Sequence, residues 1–165
     1  MPDPWSATSR TIRSPSRREA SVIVVCSGDL TTFGFRHEYL TAREYMDRIH
    51  CDSIIVVPGN HDSRNVGYVH FEELFGDRNS VLRKDGVTIV AVDSTEPDLD
   101  HGQIGRGRYP WIEEQFAEEP ADLKLFVLHH HLLPVPGTGR ERNVVYDAGD
   151  AIEALIATRP AKLPK

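Results

Sequence analysis

Apolar and polar positions fall in blocks along the chain, and the blocks predict an order of elements. SVIVVCS (21–27) is a short β-branched run, read as a strand buried on both faces. A turn-rich loop, GDLTTFG (28–34), follows it. In 35–50, Tyr39, Ala42, Tyr45, Met46 and Ile49 recur at helical spacing with charged residues between them. SIIVV (53–57) is a second buried strand, ended by Pro58 and Gly59. VHFEELFG (69–76) reads as a short helix closed by Gly76. Residues 80–93 read as a hairpin, because Asp85-Gly86 is a two-residue turn signal between β-branched runs. A long loop (94–108) precedes an amphipathic helix over 109–119 with Pro110 near its start. LKLFVLHH (123–130) is a third buried strand, 131–147 another long loop, and 148–158 a last helix. Strands alternating with helices, broken by one hairpin, predict an α/β architecture with a mixed sheet.

Residues 1–20 break the pattern. They hold Pro2, Pro4, Pro15 and four arginines, and carry +2 of a chain whose net charge is −6. This segment is expected to be a flexible polar tail, with one domain over 21–158 and a short tail over 159–165. No apolar run approaches membrane-spanning length. The negative charge gives no global field favouring nucleic acid or an anionic membrane, so neither is expected as a partner. Two cysteines, Cys26 and Cys51, cannot form a disulfide framework and are read as buried free thiols. The first twenty residues lack the apolar stretch of a secretory signal, which leads to the expectation of a cytoplasmic protein.

Candidate chemistry sits at three strand ends. Gly28-Asp29 follows the first apolar run, Gly59-Asn60-His61-Asp62 the second, and His129-His130-His131 the third. In open α/β sheets the loops beyond the carboxyl ends of strands bind ligands. Asp29 offers carboxylate oxygens, Asn60 an amide oxygen and His129 an imidazole nitrogen. Such mixed oxygen and nitrogen donors suit Mn, Fe, Zn, Co or Ni. On an extended loop neighbouring side chains diverge, so Asn60 can face a metal while His61 faces a substrate. Other candidates read more simply. Arg140 and Arg142 offer phosphate contacts but fit a solvated loop, Asp93-Ser94 fits a turn, His101 is given no role, and His37 and His50 fit a helix surface.

SGDLTTFG (27–34), VVPGNHD (56–62) and VLHHHLLPVP (127–136) resemble, in order and position, three motifs of the calcineurin-like metallophosphoesterases. The resemblance covers residues 21 to about 158 and implies part of that family's α/β/β/α sandwich. It makes Asp29 the metal-bridging carboxylate, Asn60 an amide ligand, and His61 the histidine that contacts phosphate and aids leaving-group departure. The family's His-His-Pro pattern, aligned on Pro134, puts the histidine ligand at His129, with His130 the reserve choice. The implied cofactors are divalent metal ions, two in a complete family site. The implied activity is phosphomonoester or phosphodiester hydrolysis of a small-molecule substrate.

Three departures shape the expectation. The family's early Asp-x-His and late Gly-His-x-His do not occur in this sequence, and Thr32 stands where some members carry an Asp. Asp29, Asn60 and His129 would then serve one metal, with weakened binding and reduced turnover. The alternative is a catalytically silent remnant that acts as a binding module. An uncovered strand 21–27 is also expected to favour self-association through a sheet edge.

Overall fold

The structure, a computed structural model, describes residues 21–118, 120–139 and 141–158. The segments read as tails, and Arg140, lie outside the described residues. The elements run β1 (Ile23–Cys26), α1 (Arg36–Met46), β2 (Ser53–Val56), α2 (Gly67–Phe75), β3 (Ser80–Lys84), β4 (Val87–Ala91), α3 (Tyr109–Ala117), β5 (Leu123–Val127) and α4 (Ala148–Ala157). Single 3-10 turns at Arg64–Val66 and Arg106–Arg108 lead into α2 and α3. β1 and β2 form a parallel pair with Cys26 opposite Val56. β3, β4 and β5 form a mixed sheet, antiparallel between β3 and β4 and parallel between β4 and β5.

Strand alternation builds the layers. In β2 and the residue after it, Ile54 and Val56 pack with Tyr39 of α1 and Phe71 and Phe75 of α2. Ile55 and Val57 point the other way and meet Ile89 and Ala91 of β4, which makes the seam between the sheets. Val90 and Val92 face the opposite side, against Ile112 and Phe116 of α3 and Ala151 and Ala154 of α4. The order is therefore α/β/β/α. The hairpin turn has φ of +50° at Asp85 and +80° at Gly86, the left-handed pair that matches strand twist.

Several details differ from the sequence reading. β1 is not buried on both faces: Val25 is 40% exposed, because β1 pairs only with β2 among the described residues. β5 is likewise half-buried, and its first residue, Leu123, is exposed. α1 stops at Met46, where the Asp47 amide closes onto the Arg43 carbonyl, so Ile49 leaves the helical periodicity and is exposed. Tyr45 is also exposed, with the Arg48 guanidinium 5.1 Å from its ring centre. α2 begins two residues early, at Gly67. Both cysteines are free but only half-buried, and burial pushes the Cys26 thiol up.

Both sheets deliver their strand ends to one rim. The Val57 amide donates to the Cys26 carbonyl (3.1 Å), and the Val92 amide to the Val127 carbonyl (2.8 Å). The loops after β1 and β2 thus start level with each other, and so do the loops after β4 and β5. The loop after β4 is pinned to the loop after β5. Gly102 N donates to Val144 O, Tyr146 N donates to Gly102 O (2.8 Å), and the Ile104 and Gly105 amides donate to the Asp147 carboxylate.

Candidate metal centre

Two glycines let the loops after β1 and β2 touch. Gly28 has φ of +100°, and a Cβ there would stand 2.5 Å from the Gly59 nitrogen. Asp29 follows with φ of +57°, a left-handed conformation that aspartate tolerates, so the chain turns sharply off β1. Gly59 leaves room in its turn: a Cβ there would overlap Asp29 Oδ1 and come within 2.9 Å of His129 Cε1.

Asp62 ties the two loops together. Its buried carboxylate accepts from the Gly59 amide (2.8 Å), the Leu30 amide (3.1 Å), and the Thr31 amide and hydroxyl (both 2.8 Å). Burial pushes its pKa up while these donors pull against the shift. The Tyr39 hydroxyl donates to the Asp62 carbonyl (2.6 Å), joining the turn to the core of α1 and α2.

In this frame three separate donors meet. His129 Nε2 lies 3.1 Å from Asn60 Oδ1 and 3.5 Å from Asp29 Oδ1. His129 Nδ1 is 2.7 Å from the Ser27 carbonyl, which can only accept, so Nδ1 carries the proton. Asn60 Nδ2 donates to Asp100 Oδ1 (3.1 Å), so the amide oxygen is the atom turned to His129. The neutral imidazole therefore aims a lone pair at two oxygens that also only accept. A positive charge among the three atoms reconciles them, either a second proton on His129 or a metal cation. The hydrogen bond to Ser27 is the kind of support that orients a metal-binding histidine. One oxygen-rich and one nitrogen donor class fits a borderline divalent cation. Among the described residues no group of three His, Cys, Asp or Glu gathers around one point, because the third donor here is an amide.

His61 sits beside this cluster. Its amide donates to Asp29 Oδ1 (3.2 Å) and its Nδ1 lies 2.8 Å from the Thr32 carbonyl. That contact puts the proton on Nδ1 and leaves Nε2 for other partners. With Nδ1 protonated, Arg64 Nη1 3.2 Å away is a charge beside the ring rather than a hydrogen-bond partner, and its Nη2 donates to Asp100 Oδ1 (2.7 Å).

The other histidines of the run are placed differently. His130 is buried, with Nδ1 2.9 Å from the Ser94 hydroxyl and Nε2 without a hydrogen-bond partner. Burial and the neighbouring His129 push it down to about 4. His131 joins an isolated bridge to Val144. Asp93 is no simple turn residue: fully buried, it accepts from Arg78 (2.7 Å) and from the Thr95 amide and hydroxyl. Arg142 is exposed, His101 rests 4.5 Å from the Tyr146 ring, and His37 and His50 are exposed. Asp100 stands outside every motif that the sequence shows. Its only sequence signal is the Asp98-x-Asp100 pair in the loop after β4, which does not say where that loop returns.

The chain matches the calcineurin-like phosphoesterase family over residues 2–160. It is 26% identical over 105 residues to the 3',5'-cyclic adenosine monophosphate phosphodiesterase CpdA of Escherichia coli strain K12, covering 63% of this chain and 38% of that one. It is 23% identical over 145 residues to a probable cyclic nucleotide phosphodiesterase of Synechococcus, covering 86% and 54%. A cAMP/cGMP dual specificity phosphodiesterase of Mycobacterium tuberculosis is 26% identical over 117 residues, covering 67% and 37%. The chain thus spans between about a third and just over half of the length of these relatives. The match extends over nearly the whole sequence: this chain belongs to the calcineurin-like phosphoesterase family.

Proposed function

We propose that this chain is a metal-dependent phosphoester hydrolase that binds a divalent cation through Asp29, Asn60 and His129 and meets the substrate phosphate with His61. The observation that carries this reading is the convergence of His129 Nε2 on Asn60 Oδ1 at 3.1 Å and Asp29 Oδ1 at 3.5 Å, with His129 Nδ1 held by the Ser27 carbonyl. When bound, a cation of the Mn, Fe or Zn kind supplies Lewis-acid activation of a phosphoryl oxygen and of water. The chain's own residues do the rest. The His61 amide donates to Asp29 Oδ1, which ties the backbone at His61 to that carboxylate. The Thr32 carbonyl holds the Nδ1 proton and fixes the His61 ring; with a second proton taken from water onto Nε2, the imidazolium gives that proton to the departing oxygen and returns to the Nδ1–H form. Arg64 adds a positive charge beside it.

The substrate proposed is a small phosphodiester of the cyclic nucleotide class, as the names of the relatives suggest. The rings of Phe33 and Phe35, 6.1 Å apart and exposed, begin one residue beyond the carbonyl that holds His61 and offer an apolar surface for a base. Hydrolysis of bis-(p-nitrophenyl) phosphate with added Mn tests the activity. Asn60→Ala is expected to lower the rate at least tenfold by weakening the metal. His61→Ala is expected to lower it about 10²- to 10⁴-fold with Mn affinity retained. Equal rates in wild type and both variants would overturn the hydrolase and leave the binding-module reading.

We also propose that the edge of β1 left unpaired among the described residues pairs with a second copy of the chain. Val22 and Val25, 52% and 40% exposed, lie at and beside that edge. Light scattering at rising concentration is expected to show a growing mass, and a constant monomer mass would count against the pairing.

A further inference from the structure

One carboxylate oxygen outside all three motifs touches both halves of the site. Asp100 Oδ1 accepts from Asn60 Nδ2 at 3.1 Å and from Arg64 Nη2 at 2.7 Å. The first bond decides which end of the Asn60 amide faces His129. An amide is nearly symmetric in shape, and rotated by half a turn it would present Nδ2, a donor, to the cation. The second bond holds the guanidinium whose other nitrogen lies 3.2 Å from His61.

Asp100 is itself well fixed. Its loop is closed by Gln103 N donating to Ser94 O (3.0 Å), and tied to the loop after β5 through Gly102. On the other side Asp98 accepts from the Asn65 amide (3.0 Å), next in sequence to Arg64. Thus the loop after β4 grips the turn after β2 through two acidic residues, Asp98 and Asp100. The side chain of Asp100 is 65% exposed, so an ion pair there adds little to stability. Its geometry, not its contribution to folding, is what the site uses.

We propose that Asp100 is a positioning residue: its Oδ1 keeps the Asn60 oxygen turned to the cation and keeps Arg64 beside His61. This rests on the reading of Asn60 as a metal ligand. It assigns to the loop after β4 a part in a site whose proposed ligands come from the loops after β1, β2 and β5.

The test is Mn²⁺ titration of the full 165-residue chain, followed by the electron paramagnetic resonance of free Mn²⁺, in wild type, Asn60→Ala, Asp100→Ala and Asp100→Asn. Losing a partner that orients a ligand typically lowers metal affinity about 10- to 100-fold, and D100A is expected to fall in that range. D100N keeps one oxygen for both donors and is expected to stay within about threefold of wild type, a rescue that loss of a surface charge alone would not show. Normal affinity in D100A with weakened N60A would overturn the proposal and leave the metal site standing. Normal affinity in N60A would overturn both. D100N as weak as D100A would also overturn it, since charge rather than orientation would then matter. A measurement on the wild type keeps the question independent of whether D100A folds. The Asn60 side-chain amide protons should shift downfield from the free-amide position in an NMR spectrum, as donors to a carboxylate, and free-amide shifts would overturn the proposal.

Discussion

Gly59→Ala is expected to abolish the metal site while leaving the sandwich folded. The added methyl would overlap Asp29 Oδ1 and press on His129 Cε1, which approach the same backbone atom from two different loops. Neither can give way cheaply. Asp29 follows Gly28, whose own conformation and close contact with Gly59 fix the turn. His129 is held by the Ser27 carbonyl. Asp29 and His129 must therefore separate, and a displacement of about 1 Å at such a centre costs on the order of 10²-fold. Calorimetric titration should show Mn²⁺ affinity reduced at least about 100-fold, with an unchanged far-ultraviolet circular dichroism spectrum. Affinity equal to wild type would show that the three donors do not share an ion.

Asp62→Ala is expected to be the most destabilising single change near the site. Four donors, three amides and a hydroxyl, end on one buried carboxylate. Each buried donor left unpaired costs about 1–3 kcal/mol, and relaxation of the loops recovers only part of the total. Urea denaturation should show a loss of about 3 kcal/mol or more. Asp62→Asn retains one acceptor oxygen and should lose less. A loss below about 1 kcal/mol in the alanine variant would mean that water replaces the carboxylate, and that the loops are held by the Tyr39 contact instead.

How far the sequence could be read depended on the kind of signal. The hairpin was legible because Asp85-Gly86 states its own backbone conformation locally. The strands were legible as apolar runs, and β2 shows why their burial was harder: the same run feeds two cores, Ile54 and Val56 on one side and Ile55 and Val57 on the other. β1 has the same composition but only one neighbour among the described residues, so Val25 faces solvent. Apolar content does not say how many neighbours a strand has. The same limit applies at the site. Asp29, Asn60, His61 and His129 are legible as polar residues at strand ends that share a rim, and the structure brings the side chains of Asp29, Asn60 and His129 together, with His61 joined through its backbone amide. Asp100 was missed because its position depends on where a fifteen-residue loop returns, which no local pattern encodes. Asp62 was legible as part of a motif, but its four partners lie in two loops thirty residues apart.

The proposed donors do not all belong to one sheet. Asp29 and Asn60 extend from β1 and β2, whereas His129 extends from β5, and the layers that carry them meet through apolar side chains such as Ile55, Val57, Ile89 and Ala91 and through a few hydrogen bonds between their loops. An ion shared by the three would act as a rivet across that joint. Occupancy would then lock the halves against sliding, and loosening the joint far from the rim would weaken the grip on the ion, since binding and folding draw on the same free energy.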